Sequence, residues 1–393
     1  MRIVHVVPSY LPATRYGGPI YAVHGLCVAL ARAGHDVRVF TTNIDGAYDS
    51  DVPLETPVEL DGVQVVYYRT RHLRRIAWAP RMLLGLAQAI EPTAVVHVHS
   101  MFGFPTVAAA RCAEFKRAPY VLSPHGALVS KFIREKSYLA KTLWIRAFDA
   151  RVVAHAARIH VASDAERREL CALGLRVPTM FLAPNGVDLP SQEDTQHGSA
   201  RVDELAARGP YAVFLGRICW VKGLDRALRA LAHTSVRLVI AGNDNEGLQP
   251  KLVQLATSLG IADRVTFIGG VAGADKWALL RSARFLLLPS YTENFGIVVA
   301  EAMAMGCPVL VTPQVGAADV VLRSESGLVV DGEPAMFGAA MQRLWTDPAL
   351  CNKLGSAGAN WASQHLGWDG IAGAMLRCYR EVLAESSAAS RPF

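Results

Sequence analysis

Two carboxylates, Glu293 and Glu301, stand eight positions apart across a turn that contains Gly296. An apolar, strand-like segment precedes the turn, and an apolar run that ends at Gly306 and Pro308 predicts a helix after it. At about 100° per residue, the two carboxylates lie roughly 80° apart around the helix and about 12 Å apart along its axis. They are therefore too far apart to share one proton or one metal ion.

The backbone amides of the turn are a third part of this candidate site. The N–H groups of Asn294, Phe295, Gly296 and Ile297 lie at the start of the helix, where amides lack intrahelical partners and the dipole is positive. An anion fits such a position. A ligand with a phosphate at its middle and hydroxyls at both ends would engage the amides and both carboxylates, and a sugar nucleotide has this composition.

The same pattern carries a family resemblance. Two carboxylates separated by seven residues at a strand-to-helix turn resemble the signature of the retaining glycosyltransferases of family 4, which have the two-domain GT-B fold. A carboxylate pair at this spacing is common by chance, whereas five motifs in the family's order are not. The four further motifs are Gly17-Gly18-Pro19, Ser123-Pro124-His125-Gly126, Pro184-Asn185-Gly186-Val187-Asp188, and Gly216-Arg217 before Lys222-Gly223.

Two cations, Arg217 and Lys222, lie five positions apart after an apolar segment. Arginine offers phosphate oxygens a planar fork and lysine a point charge, so both can bind a diphosphate. Gly216 and Gly223 flank the pair and indicate that a ligand approaches the backbone closely here. Solvated surface cations are the alternative interpretation.

The resemblance gives roles to the remaining motif residues. It implies that His125 hydrogen bonds the transferred sugar and that the loop at Gly17 and Gly18 moves over the donor phosphate. It also implies that Glu293 binds hydroxyls of the transferred sugar, that Glu301 binds the ribose hydroxyls, and that the turn amides bind the distal phosphate. A lone histidine is more often structural, and a Gly-Gly-Pro segment is often an ordinary loop, but the shared motif order favours the functional interpretation.

The expected reaction is a retaining transfer of a hexose-type sugar from a UDP- or GDP-sugar. A double displacement needs a carboxylate on the far face of the anomeric carbon, which the matching motifs do not obviously provide. In a front-face reaction the leaving diphosphate, stabilised by Arg217 and Lys222, accepts the acceptor's proton as the bond breaks. With His125 and Glu293, these cations form the expected catalytic group.

No metal ion or cofactor is expected to be obligatory. The triplet Asp49-Ser50-Asp51 matches a metal-binding pattern of the other glycosyltransferase fold, but it lies outside the motif set. The cations and helix amides already provide positive charge for the diphosphate.

Short apolar runs alternate with helical patterns along the chain, which predicts buried parallel strands covered by helices. The fold expected from this alternation and from the resemblance is α/β and GT-B, with two Rossmann-like doubly wound parallel-sheet domains facing a central cleft. The expected divisions are an acceptor domain at 1–188, a donor domain at 189–367, a helix at 368–384 crossing back to the first domain, and a frayed tail at 385–393.

The net charge of +6 belongs to the first half, since residues 1–190 carry 22 Lys+Arg against 15 Asp+Glu. One basic, aromatic segment surrounds Arg74 and Arg75, and a second runs from Lys131 to Arg146. Such segments suit an anionic membrane or a diphosphate lipid, although a solvated helix face is an equal alternative. No apolar run is long enough to span a bilayer and no signal peptide is recognised, so we expect a cytoplasmic protein. Peripheral association with the inner face of the plasma membrane is a further expectation.

The expected acceptor is a glycan or a polyprenyl-diphosphate-linked glycan of bacterial envelope or exopolysaccharide synthesis, because the Ser-Pro-His-Gly segment is similar to enzymes of polysaccharide and lipopolysaccharide assembly. No nucleic-acid-binding motif accompanies the basic residues. Two alternatives stay open. One is a GT-B sugar-nucleotide epimerase, and the other is a noncatalytic nucleotide-sugar-binding partner of an assembly complex.

Overall fold

The chain divides into two compact units. A computed structural model describes residues 1–15, 17–128, 138–189, 199–244 and 246–389. Met1–Asn185 and Trp368–Phe393 belong to the first unit, and Gly186–Gly367 form the second. Among the described residues, no helix combines the length and the apolar character that crossing a bilayer requires.

The first unit is built on one large, mostly parallel sheet. Its strands, together with a short separate hairpin of β3 and β4, are β1 (Arg2–Ser9), β2 (Asp36–Thr42), β3 (Ile44–Asp45), β4 (Tyr48–Asp49), β5 (Pro57–Leu60), β6 (Val63–Tyr68), β7 (Val95–His99), β8 (Tyr120–Ser123), β9 (Arg158–Val161) and β10 (Met180–Leu182). The sheet order is β10-β9-β8-β7-β1-β2-β6-β5, and only the edge pair β5 and β6 is antiparallel. The order reverses at β1, which lies between β2 and β7.

Helices cover both faces of this sheet. They are Gly18–Arg32, Met82–Ala89, Phe104–Lys116, Tyr138–Trp144, Ala150–His155, Asp164–Ala172 and Trp368–Ala389, with a 3-10 turn at Arg74–Ile76 and a π-helical segment at Ile145–Asp149. The π segment lies between the helices Tyr138–Trp144 and Ala150–His155.

The C-terminal helix Trp368–Ala389 belongs to the first unit. Its Met375 and Tyr379 are fully buried in one apolar cluster with the helix Gly18–Arg32 and with β1, and each buried side chain of this size contributes about 1.5–3 kcal/mol. The predicted frayed tail from residue 385 is wrong as far as Ala389, because the helix continues to that residue and Glu385 forms a salt bridge with Arg158. Residues 390–393 lie outside the described part.

The second unit has a six-stranded sheet in which every pair is parallel. Its strands are β11 (Ala212–Leu215), β12 (Leu238–Ala241), β13 (Val265–Gly269), β14 (Phe285–Leu288), β15 (Val309–Val311) and β16 (Gly327–Val329). Their order is β13-β12-β11-β14-β15-β16, which is the 3-2-1-4-5-6 order of dinucleotide-binding doubly wound folds. The order reverses between β11 and β14, and ligands of such sheets bind beyond the carboxyl ends of the strands at this reversal.

The helices of the second unit connect its strands in the same sequence. They are Ala200–Ala207, Leu224–Leu231, Gln249–Ser258, Gly273–Ser282, Ile297–Ala304, Ala318–Ser324, Pro334–Thr346 and Pro348–His365, with 3-10 turns at Trp220–Lys222 and Ala262–Arg264. The prediction of two doubly wound α/β units is confirmed. The strands that the sequence did not indicate are β3 to β6 and β10.

Candidate active site

The loops after β11 and β14 meet at the point where the second sheet reverses its order. Tyr291, in the loop after β14, donates its backbone N–H to the carbonyl of Val221 at 2.8 Å. Gly223 has φ 66°, and a Cβ at this position would lie 2.2 Å from the carbonyl oxygen of Pro289. Gly223 is therefore required for the contact between the two loops. The expectation that it admits a ligand to the backbone needs this correction, since the close neighbour is Pro289.

This contact brings together two of the predicted site residues. The ammonium of Lys222 forms a salt bridge with the carboxylate of Glu293, and the two side chains are 13% and 19% exposed. The backbone fixes Glu293 independently, since its N–H donates to Gln314 at 3.1 Å and its carbonyl accepts from Gly316 at 3.0 Å. Arg217 is exposed beside them, and no described residue forms an ion pair with it. The site thus holds one cation that is paired with a carboxylate, Lys222, and one that forms no ion pair with a described residue, Arg217.

The turn amides lie where the sequence predicts. Gly296 has φ 86° and precedes the helix Ile297–Ala304. Phe295 is buried, and its carbonyl accepts from Ala317 at 2.8 Å, which fixes the turn from below. In the part of the chain that the structure describes, the N–H of Phe295 and that of Gly296 donate no hydrogen bond. Two N–H donors at a helix start thus have no partner among the described residues, and both residues are buried.

Glu301 lies about one turn into its helix, which begins at Ile297. Its carboxylate accepts from Lys276 at 2.7 Å, and the Lys276 ammonium lies 4.0 Å from the centroid of the Trp277 ring. Sequence reasoning missed Lys276, which occupies a different helix with no motif around it. A cation and a carboxylate thus share this end of the site.

In the first unit, His125 lies two residues beyond the carboxyl end of β8 and has φ 53°, in the left-handed region. The fully buried carboxylate of Glu166 holds the adjoining Gly126, accepting from its N–H at 2.6 Å and from the N–H of Ala162 at 2.9 Å. Burial lowers the pKa of His125 to about 3 and raises the pKa of Glu166 to about 7. His125 is consequently neutral near pH 7.

The Gly17-Gly18 segment also belongs to the first unit. Gly17 has φ 73° and precedes the helix Gly18–Arg32, which begins one residue before Pro19. Gly18 is exposed. Arg217, Lys222, Glu293, Glu301 and the turn amides lie together in the second unit, whereas His125 and the glycine loop lie in the first.

The basic segment around Arg74 and Arg75 contains an arginine that is already paired within the fold. Arg74 forms a salt bridge with Asp49 and also donates to the carbonyls of Gly46 and Tyr48, so it is part of the β3–β4 hairpin. Asp49, the first residue of the possible metal-binding triplet, is therefore paired with an arginine. Much of the second basic segment, residues 131–137, lies outside the described residues.

Comparisons with known proteins agree with this arrangement. Residues 17–186 match the model of the glycosyl transferase 4-like domain, and residues 200–361 match that of the glycosyl transferases group 1. A D-inositol 3-phosphate glycosyltransferase of Pseudarthrobacter chlorophenolicus is 28% identical over 397 residues, covering 96% of this chain and 93% of that protein.

Solved structures show the same fold. Sucrose-phosphate synthase from Thermosynechococcus elongatus superimposes with a TM-score of 0.76 at 22% identity, over 98% of this chain and 99% of that one. Alr3699/HepE of Anabaena, in complex with UDP and glucose, gives a TM-score of 0.74 at 20% identity, over 97% and 100%. These structural likenesses show the GT-B fold. By the two family models that it matches, the chain belongs to the glycosyltransferases of the family 4 type.

The carboxyl of Glu166 gives a prediction about stability. Its pKa is raised to about 7 in the folded protein and is about 4.3 in an unfolded chain, so between these values the folded state holds a proton that the unfolded state has lost. Stability contributed by this group therefore falls as the pH rises from about 4.5 to about 7. In Glu166→Gln this pH dependence should disappear, a difference of up to about 4 kcal/mol across the window.

Urea unfolding of wild type and Glu166→Gln at several pH values between 4.5 and 8 measures this difference. The control is Glu381→Gln, an exposed carboxyl of the same unit, which should follow the wild type. Parallel pH profiles for wild type and Glu166→Gln would show that the buried carboxyl does not titrate in this range.

Proposed function

We propose that this protein transfers a hexose-type sugar from a UDP- or GDP-sugar to an acceptor with retention of anomeric configuration. The observation that supports the proposal most is that Arg217, the Lys222–Glu293 pair and the turn amides without a described partner all lie in the loops at the sheet reversal of the second unit. A diphosphate needs positive charge and N–H donors, and a sugar needs a carboxylate that accepts from its hydroxyls. The presence of UDP and glucose in the HepE structure supports a sugar nucleotide of this kind.

The donor diphosphate would lie between the cations and the turn amides. Arg217 contributes a guanidinium that forms no ion pair with a described residue, and Phe295 and Gly296 contribute N–H groups. The negative charge that develops on the leaving diphosphate is therefore stabilised as the glycosidic bond breaks. Lys222, held by Glu293, contributes a positive charge whose position is fixed before the donor binds. The diphosphate oxygen then accepts the acceptor's proton on the same face of the sugar, and this gives retention.

The other end of the donor would meet Glu301. A carboxylate accepts hydrogen bonds from vicinal hydroxyls, and Lys276 keeps the Glu301 side chain in place by a hydrogen bond of 2.7 Å. Lys276 is therefore a supporting residue for ribose binding in this proposal. His125 would contribute to sugar binding from the first unit, and no metal ion is required because side chains and amides provide the positive charge.

A pocket in the first unit fits an anionic acceptor. It has a volume of about 670 Å³ and is lined by the charged and aromatic side chains Glu55, Arg69, Arg71, His72, Trp78 and Arg81. Arg81 is paired with Glu55 at 3.0 Å, whereas Arg69 and Arg71 form no ion pair with any described residue. A phosphate group is the chemistry that such a pocket accepts. This supports a phosphate-bearing acceptor, of which a polyprenyl-diphosphate-linked glycan of the bacterial envelope is the form that we propose.

Exposed apolar side chains beside this pocket support a membrane location for the acceptor. Leu73 is 64% exposed and Leu84 is 67% exposed, and Trp78 lies between them in the sequence with 40% exposure. Basic residues with exposed apolar neighbours favour an anionic bilayer surface. We therefore propose that the enzyme acts at the inner face of the plasma membrane as a peripheral protein.

Replacement of the paired residues tests the donor site. We expect Lys222→Met and Glu293→Gln each to lower kcat/KM for donor turnover by about 10²-fold, because one removes charge from the diphosphate and the other a hydroxyl acceptor. The double variant should lose much less than the product of the two single effects, since each single change also leaves its partner unpaired. Release of nucleoside diphosphate from UDP- and GDP-sugars is the measurement.

The control for these variants is Glu204→Ala, an exposed carboxylate of the same unit, which should turn over as the wild type does. If Lys222→Met and Glu293→Gln fold normally and both retain full turnover, the donor does not occupy this site.

Membrane binding is tested by comparing two sets of variants. One set changes Arg71 and Arg75, which form no ion pair with a described residue, and the other changes Arg74, which does. Replacing Arg71 and Arg75 by Gln should reduce sedimentation with anionic vesicles several-fold, because each basic residue near such a leaflet contributes about 1 kcal/mol. Binding should also weaken with salt. Arg74→Gln should have a smaller effect on vesicle binding, because Arg74 is already paired with Asp49. Equal sedimentation of wild type and the Arg71, Arg75 variant at low salt would leave a soluble phosphorylated acceptor as the better proposal.

A further inference from the structure

Histidines form a buried cluster within the first sheet. His5 on β1 pairs in register with His97 on β7, and His99 follows on the same face of β7. His5, His97 and His99 are each at most 1% exposed, and His160 on β9 is 6% exposed. Four such rings are costly to bury unless their nitrogens are hydrogen bonded.

One chain of contacts runs from the core to His125. Nδ1 of His5 lies 2.9 Å from Nε2 of His99, and Nδ1 of His99 lies 2.9 Å from Nε2 of His125. The successive rings are stacked, with centroids 5.2 Å apart in both pairs. The two hydrogen bonds therefore connect a site residue to the centre of the sheet.

A second chain of hydrogen-bond contacts includes the rings of His97 and His160. His97 contacts the Tyr379 hydroxyl at 2.6 Å and Ser123 Oγ at 2.7 Å, and Ser123 Oγ contacts Nδ1 of His160 at 2.7 Å. Nε2 of His160 donates to the carbonyl of Ala183 at 3.0 Å. Among the four buried rings of the described residues, Nε2 of His5 is the nitrogen that has no partner. The nitrogens of His97 and His99 are all used, so they are not available as ligands of a metal ion.

The unpartnered Nε2 of His5 decides which ring donates in each hydrogen bond of the first chain. Burial lowers the pKa of His5 to about 3 and that of His99 well below its ordinary value, so these rings are neutral and each has one N–H and one lone pair. Only two arrangements satisfy both contacts. Either every ring carries its proton on Nδ1, which leaves a lone pair unpaired at Nε2 of His5, or every ring carries it on Nε2, which leaves a buried N–H there.

Buried N–H groups without an acceptor are especially rare in proteins, so the first arrangement is favoured. His5 Nδ1–H then donates to His99, and His99 Nδ1–H donates to Nε2 of His125. The remaining proton of His125 is placed on its Nδ1, which has no partner among the described residues.

We propose that His5 and His99 are positioning residues that hold His125 as the Nδ1–H tautomer, so that this N–H is a fixed donor to an oxygen of the ligand. This role rests on the proposed function, in which the oxygen is a hydroxyl of the transferred sugar. The tautomer itself depends only on the buried chain of rings. The two parts can therefore be tested separately.

Nuclear magnetic resonance of ring nitrogens in protein with 15N-labelled histidine tests the tautomer directly. In the wild type, Nδ1 of His125 should carry the proton and Nε2 should not. His5→Phe keeps a ring but removes the donor, and the Nε2–H form of His125 should then become populated. His5→Asn keeps an N–H donor near the position of Nδ1 and should restore the wild-type spectrum. His160→Gln, on the second chain, is the matched control and should leave His125 unchanged.

Donor turnover distinguishes the fixing of the His125 tautomer from the proposed sugar-binding role of His125. In His5→Phe, kcat should fall about fivefold to tenfold with little change in KM, and His5→Asn should recover most of it. A changed tautomer of His125 with unchanged turnover would support the role of His5 and His99 in fixing the tautomer, and it would show that His125 is not part of the proposed sugar site. Protonation of His125 on Nε2 in the wild type, or on Nδ1 in a folded His5→Phe, would overturn the proposal. The wild-type spectrum decides this even if His5→Phe does not fold.

Discussion

Lys222 and Glu293 can pair only because the second sheet reverses its strand order between β11 and β14. These residues are 71 positions apart in the sequence, but the loops that carry them leave neighbouring strands at the same edge. The reversal keeps helices from covering this edge, so the loops can face a ligand. Gly223 then allows the backbones of the two loops to come close enough for the side chains to meet. The arrangement of charge in the site depends on this contact.

The first unit fixes its site residue by a different physical means. His125 is held through buried polar groups, since Glu166 binds the adjoining amide and His99 contacts the ring. A buried carboxyl and buried imidazoles are unfavourable unless each finds a partner, so they confine the backbone at His125 to one geometry. A fixed geometry also explains how a residue at φ 53° is tolerated next to a glycine. The second unit thus places charged side chains at a sheet edge, whereas the first unit fixes the neutral ring of His125 through contacts with buried polar groups.

The sequence indicated the central strands and the main motif residues because both have local signals. Strands of a sheet covered on two faces are short apolar runs, as β8, β11, β12 and β14 are. An alternation of strand and helix has no place for a hairpin, and β5 and β6 were missed for that reason. Lys276 has no local signal, because its partner Glu301 lies 25 residues away on another helix.

Other missed features had a signal that could have been used. The Ser163-Asp164-Ala165-Glu166 pattern is that of a capping box, but the Glu166 side chain extends to Gly126 of another loop, which no local pattern encodes. His97 and His99 alternate along a buried strand, and two such histidines predict a polar network inside the sheet.

The central claim is that the sheet reversal of the second unit binds a nucleoside diphosphate through cations and amides. Calorimetric titration of UDP and of GDP into the protein in the presence of a chelator tests it most directly, with Arg217→Ala as the variant and the exposed Arg208→Ala as the control. We expect one nucleotide to bind without metal, Arg217→Ala to bind it about 10-fold to 100-fold more weakly, and Arg208→Ala to bind it as the wild type does. Binding of neither nucleotide, or equal binding by Arg217→Ala and the wild type, would contradict the account.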